Sequence, residues 1–242
     1  MPADSGDVVV TSFPPEAAET YGRHMVETFR AYWPASVRLI VYVDAPLAWS
    51  GVEMRQTTDL AGWLETRARL PQVSDSPDRY KPTGYLWNAR KFAVKPFIWC
   101  DAAERMGTGR LTWLDGDTYT SEPVPDVLPQ KLLGSSDVAF LGRGVMHPET
   151  GYVGFRVPEA LPLLRWCRDA YMRGKFRRLR EGWTDCHVLR AGLKAVPTSA
   201  RDLTSTKHYG PWNSRVDAMA LCPLGKYVTH LKGRRRKREA AI

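Results

Sequence analysis

The sequence predicts an α/β domain with a mostly parallel central sheet flanked by helices, and three observations predict it. The first is a set of near-continuous apolar runs, Asp7-Val-Val-Val-Thr-Ser-Phe13, Val37-Arg-Leu-Ile-Val-Tyr-Val43 and Arg110-Leu-Thr-Trp-Leu114. Such runs suit strands covered on both faces. The second is the segment between the first two runs, where Pro14-Pro15 opens a helix with Tyr21, Met25, Phe29 and Tyr32 at helical spacing. Strand, helix and strand within about 40 residues point to a parallel right-handed crossover. The third is size: 242 residues, 43% hydrophobic, with 9 Trp and 10 Tyr, suffice for one substantial core. One domain over residues 1–231 and a basic tail over 232–242 are expected.

Further along, Thr58 to Leu70 reads as a helix, and Pro71 to Tyr85 as an aperiodic loop rich in Pro, Ser, Asp and Gly. Trp87 to Met106 returns to helical character, with Pro96 kinking it or starting a new helix. Pro123 to Gly134 reads as a short helix, and Asp137-Val-Ala-Phe-Leu141 as a strand. His147-Pro-Glu-Thr-Gly-Tyr-Val-Gly-Phe-Arg156 is a polar turn entering a strand, whose glycines at 151 and 154 admit a close approach to the backbone. Leu161 to Tyr171 is an amphipathic helix. Another starts at Thr184-Asp185, with Thr184 as N-cap. Lys194-Ala-Val-Pro197 reads as a short strand, Ser199 to Pro223 as irregular, and Tyr227 to Gly233 as a last ordered stretch before the tail.

Cys100, Cys167, Cys186 and Cys222 form no Cys-x-x-Cys pair and sit among apolar neighbours, so buried free thiols are expected. No apolar run reaches the roughly 18 residues of a membrane span. The start Met-Pro-Ala-Asp-Ser-Gly-Asp lacks the features of a signal peptide, so a cytoplasmic protein is expected. The net charge of +9 is unevenly distributed: Lys232 to Glu239 carries +5, leaving +4 for the other 234 residues. Arg173 to Arg180 adds five cations without an acid. Solvated surface is the ordinary role of such runs; two of them also favour a polyanionic partner, with nucleic acid the commonest.

The chemistry concentrates at Asp115-Gly116-Asp117, where an apolar strand stops at two carboxylates separated by one glycine. Gly116 lets the backbone turn so that both can converge, and converging carboxylates repel unless a cation lies between them. Mg²⁺ or Mn²⁺ takes one or two carboxylates and keeps positions for water and substrate phosphates. The alternative is a polar turn with no ion. Arg90, Lys91 and Lys95, just upstream, could neutralise phosphates or simply snorkel to the surface. Thr11, Ser12 and Asp44 end the first two strands, where ligands of open α/β sheets bind; each could equally be a cap or turn residue.

The order of these features resembles the GT-A class of nucleotide-sugar-dependent glycosyltransferases, especially the small glycogenin and galactosyltransferase-like enzymes. The features are an opening strand and helix, the basic helix with Arg90, Lys91 and Lys95, the Asp115-Gly116-Asp117 turn, the strand start Glu149-Thr150-Gly151, the helix start Thr184-Asp185, and a late His230-x-Lys232-Gly233. The resemblance implies a single GT-A, Rossmann-like domain. It implies Asp115, Asp117 and His230 as ligands of Mn²⁺ or Mg²⁺, and Lys232 and Gly233 as contacts of the donor diphosphate. Glu149, Thr150, Gly151 and Asp185 would line the donor sugar, and the donor would be a UDP-sugar by family habit. The late motif departs from the family in ending Arg-Arg-Arg-Lys-Arg instead of Lys-Pro-Trp. Without the acidic pair His230 would read as a core histidine; with Lys232-Gly233 beside it, it reads as either a core histidine or a ligand.

Breaking a sugar–diphosphate bond builds negative charge on the leaving group, which a divalent ion and nearby cations stabilise. Inverting transfer also requires a carboxylate base, for which Asp185 and Glu149 are the candidates. For the acceptor, the basic clusters (Arg177, Arg178, Arg234, Arg235) and the aromatics Tyr209 and Trp212 suit DNA carrying a hydroxymethylated pyrimidine such as 5-hydroxymethylcytosine. Small phage enzymes are the precedent, and would act in the host cytoplasm. Three competing readings remain: a transferase building bacterial surface glycans or lipid-linked sugars, a nucleotidyltransferase, and a non-catalytic basic nucleic-acid-binding domain.

Overall fold

The computed structural model describes residues 6–45, 47, 49–71, 84–204 and 217–231. Its strands are β1 (Gly6–Phe13), β2 (Val37–Val43), β3 (Glu53–Gln56), β4 (Gly109–Leu114), β5 (Thr118–Thr120), β6 (Val138–Leu141), β7 (Glu149–Val157), β8 (Ala200–Asp202) and β9 (Val228–His230). Seven of them form one sheet in the order β3-β2-β1-β4-β7-β6-β8, and β5 pairs with β9 in a separate ribbon. β7 alone runs against its neighbours in the large sheet; the other six strands share one direction. The apolar runs of β1, β2 and β4 are buried because helices cover both faces.

The helices are α1 (Pro15–Ala17), α2 (Arg23–Tyr32), α3 (Trp63–Arg69), α4 (Ala89–Phe92), α5 (Val94–Met106), α6 (Leu128–Leu133), α7 (Leu161–Met172) and α8 (Asp185–Ala195). α1 continues through a π-helical turn, Ala18–Gly22, into α2. On one face α3, α5, α7 and α8 pack around Phe97, Trp99, Leu163 and Leu189; on the other, α2 and α6 pack around Met25, Phe29 and Leu132. Met25 and Phe29 are core, whereas Tyr32 at the end of the same stripe is 36% exposed. No helix among the described residues is long and apolar enough to cross a membrane.

Several boundaries differ from the sequence expectation. The helix expected from Thr58 starts only at Trp63, after Gly62 at φ 74°. The residues before it pair as edge strand β3 and a single 3₁₀ turn, Thr57–Asp59. Trp87 to Met106 divides into a 3₁₀ turn (Tyr85–Trp87), α4 and α5. The Asn88 side chain accepts the Lys91 N–H at 3.2 Å and caps α4. Pro96 lies in the first turn of α5, where its missing N–H sacrifices no helical bond. Helix α6 is confined to Leu128–Leu133, leaving Pro123 and Pro125 outside. The strand expected at Lys194–Pro197 is displaced: Lys194 and Ala195 end α8, and the pairing with β6 is made by Ala200–Asp202. Cys100, Cys167 and Cys222 are buried free thiols, while Cys186 is partly exposed.

Trp99 is fully buried, edge-on to Trp113 at 6.1 Å and tilted against Phe155 at 5.5 Å. Trp99→Ala should cost about 3–5 kcal/mol of stability, read from the denaturant midpoint at unchanged m-value.

Candidate functional site

The order of the sheet reverses between β1 and β4, since β2 lies on one side of β1 and the later strand β4 on the other. The crevice beyond their carboxyl ends is where open α/β sheets bind ligands. β4 runs directly into Asp115-Gly116-Asp117. A Cβ on Gly116 would stand 2.8 Å from the Ser12 carbonyl oxygen and 2.9 Å from Phe13 Cδ1, so only glycine lets the turn lie against the end of β1.

Two further strands bring distant residues to this turn. β7 is antiparallel to β4, so its first residues lie beside β4's last ones, and the Asp115 N–H donates to the Gly151 carbonyl at 3.0 Å. β9 is antiparallel to β5, with Thr118 opposite His230, and the Leu231 N–H donates to the Asp117 carbonyl at 2.8 Å. His230, 3% exposed, is thereby held with Nε2 3.2 Å from Asp117 Oδ1 and 3.7 Å from Asp115 Oδ2. A Cβ on Gly151 would meet the His230 ring at 2.8 Å.

Asp115 divides its oxygens. Oδ1 accepts from Lys95 Nζ at 2.7 Å and from the Trp113 indole N–H at 2.8 Å, and Oδ2 faces His230. Lys95 also reaches Asp185 Oδ2 at 2.9 Å, which accepts the Thr150 hydroxyl at 2.6 Å. Cys186 Sγ lies 3.2 Å from that same hydroxyl. Burial alone would raise the Asp115 carboxyl; Lys95, His230 and the Trp113 N–H outweigh it and hold the group below the usual carboxylate range. Burial likewise opposes the charge on Lys95, but Asp115 and Asp185 push its pKa well above that of an ordinary lysine.

Ligand atoms of Asp115, Asp117 and His230 all lie within 4.8 Å of one another. One imidazole and two carboxylates suit a hard or borderline divalent cation, with positions left for a substrate. The residues fit such an ion: Asp115 Oδ2 faces His230 while Oδ1 is already paired.

The turn opens into a cavity of about 790 Å³ whose lining includes Arg90, Lys91, Lys95, Asp115 and Asp117, together with Asp44, Thr57 and Arg67. Ser12 also lines it, whereas Thr11 is wholly buried and is not among the lining residues. Glu149 is 7% exposed and paired with Arg143, and Thr150 is bound to Asp185 as described. Arg177 and Arg178 are exposed on a short 3₁₀ helix, Lys175–Arg178. Lys232, Gly233, Tyr209, Trp212, Arg234 and Arg235 lie outside the described residues.

Three participants had no sequence signal: Trp113 as a donor to Asp115, Arg143 as the partner of Glu149, and Lys95 as a bridge between two aspartates. Each contact joins residues remote in sequence or on different elements, except Trp113, whose two-residue spacing along a strand places both side chains on one face.

Next to Glu149, His147 and His187 lie 4.1 Å apart between ring centroids. Burial, the neighbouring His187, and Arg143 and Arg190 lower the pKa of His147 from 6.5 to about 3. The unfolded chain takes up a proton near pH 6.5 that the folded ring refuses until about 3, so stability should fall with acidification across that window. His147→Gln should flatten the fall, measured as Tm against pH.

No protein-family model matches the chain, and no curated protein matches it in sequence. Its structure is similar to that of the galactosyltransferase LgtC, solved with donor and acceptor sugar analogues. The TM-score is 0.56 at 12% sequence identity, over 97% of this chain and 95% of that one. The fold of this protein is accordingly the GT-A fold, an α/β domain with a mostly parallel seven-stranded sheet flanked by helices.

Proposed function

We propose that this protein is a metal-dependent glycosyltransferase that moves a sugar from a nucleotide-diphosphate donor to a hydroxyl acceptor. The observation that carries the reading is the meeting of Asp115, Asp117 and His230 at the carboxyl edge of the parallel strands, beside a cavity lined by Arg90, Lys91 and Lys95. The fold shared with a galactosyltransferase supports the same chemistry. Asp115, Asp117 and His230 would hold Mn²⁺ or Mg²⁺, which when bound neutralises charge developing on the leaving diphosphate. UDP is the favoured nucleotide.

The protein's own groups have distinct tasks. Arg90 and Lys91 attract the diphosphate, with Lys232 and Gly233 as further contacts. Lys95 keeps Asp115 and Asp185 in fixed relation by pairing with both carboxylates at once. Asp185 spends Oδ2 on Lys95 and Thr150, and Oδ1 has no hydrogen-bond partner among the described residues. That oxygen is the one we assign to a donor-sugar hydroxyl or to the acceptor proton; Asp185 is 1% exposed and is not among the residues lining the cavity, so the wall around it must shift before it meets substrate. Glu149 is the alternative base, but its ion pair with Arg143 must loosen first. Thr150 and Gly151 form the wall that keeps Asp185 and His230 in place.

Two acceptors have support. The basic surface of Arg177 and Arg178, with Arg234, Arg235, Tyr209 and Trp212 in sequence, favours 5-hydroxymethylcytosine in DNA. The acceptor sugar analogue bound to LgtC favours a carbohydrate hydroxyl, as in a surface glycan.

The test is nucleotide-diphosphate release from a panel of nucleotide sugars with Mn²⁺ or Mg²⁺. Release should drop roughly 100-fold or more in Asp115→Asn and in Asp117→Asn. Absence of release from every donor would reject the transferase. Stimulation by hydroxymethylated DNA, with affinity falling steeply as salt rises, would select the DNA acceptor; stimulation by oligosaccharides alone would select the glycan.

A further inference from the structure

A second set of metal-ligating side chains stands apart from the carboxylate turn. His147 comes from the loop between β6 and β7, Glu181 from the turn before α8, and His187 from the first turn of α8. One ligand atom of each lies within 4.8 Å of the other two. The set contains two imidazoles and one carboxylate, a donor combination that suits Zn²⁺ and similar borderline transition ions better than Mg²⁺.

The surroundings orient these rings. Thr184 occupies the N-cap position of α8, yet its hydroxyl caps no backbone N–H there. It is instead 2.8 Å from His187 Nδ1, which leaves Nε2 as the ligating atom. An imidazole whose other nitrogen is fixed by a hydrogen bond is the usual state of a metal-binding histidine. Gly182 closes the other side: a Cβ there would fall 2.6 Å from His187 Cε1. Burial favours the uncharged ring in both histidines, which is the form that binds metal.

Two arginines face the cluster, and both have carboxylate partners. Arg143 pairs with Glu149 and has Nη1 3.4 Å from His147 Nε2. Arg190 donates to Glu181 at 2.6 Å and to the Val145 carbonyl at 3.2 Å. Turning Glu181 from Arg190 to an ion therefore leaves Arg190 with an acceptor.

We propose that His147, Glu181 and His187 form a second metal site that takes Zn²⁺, with Arg190 competing with the ion for Glu181. An ion there ties the loop carrying Arg143 to the start of α8, which carries Asp185. It would brace the wall on which Glu149 and Asp185 stand without touching the Asp115 turn.

The experiment is Co²⁺ titration, followed by visible absorption, of the untagged full chain stripped of metal, with Zn²⁺ calorimetry in parallel. One Co²⁺ should bind in the Asp115→Asn, Asp117→Asn double variant and give visible d–d bands. His147→Gln and Glu181→Gln should each weaken binding by about tenfold or more, and Arg190→Gln should tighten it. If the double variant does not fold, the difference between wild type and His147→Gln gives the same readout, because that variant should lose one of two bound Co²⁺ ions while the aspartate turn keeps its own. Zn²⁺ should raise the Tm of the double variant and leave it unchanged when His147→Gln is added to that variant. Absence of Co²⁺ binding, or unchanged binding in both His147→Gln and Glu181→Gln, overturns the proposal.

Discussion

The site depends on the placement of one ammonium group. Lys95 Nζ lies 2.7 Å from Asp115, which is partly buried, and 2.9 Å from Asp185, which is 1% exposed. Removing either partner of such a buried network leaves an uncompensated charge, so the three residues stand or fall together. Lys95 is held by α5, Asp115 by β4 and Asp185 by α8, so their pairing locks a helix from the middle of the chain and one from its last third onto the sheet edge.

The second constraint is β7, which among the described residues runs against the other strands of the large sheet. Had β7 run with its neighbours, its start would lie at the opposite edge of the sheet and Glu149, Thr150 and Gly151 would be far from Asp115. Reversed, its amino end joins the carboxyl end of β4, and the Gly151 carbonyl caps the Asp115 N–H. The small β5–β9 ribbon performs the same service for His230. Trp113 connects both scales: its ring packs edge-on against Trp99 in the core while its N–H orients Asp115.

Beside this centre stands a wall of different chemistry. The uncharged rings of His147 and His187 stand among two ion pairs, Arg143 with Glu149 and Arg190 with Glu181. A hard-ligand turn and a nitrogen-rich wall thus share the same edge of the sheet, with Thr150 and Cys186 between them.

The sequence by itself determined the parallel core strands, because β1, β2 and β4 are near-continuous apolar runs and strands covered on both faces favour that. It also determined the acidic turn, where an apolar run ends on Asp-Gly-Asp and the glycine lets the backbone turn; the fit of that glycine against Ser12 came from the structure. The likeness to GT-A enzymes was legible in the order of polar motifs at strand and helix starts. Only the tertiary structure decided what those motifs touch. Thr11 went inward, Lys95 became a bridge between aspartates, and β8 formed from three exposed residues whose pairing rests on backbone hydrogen bonds that leave no pattern in side chains. The approach of His230 to Asp117 was equally invisible locally, because it results from strand pairing between segments more than a hundred residues apart in sequence.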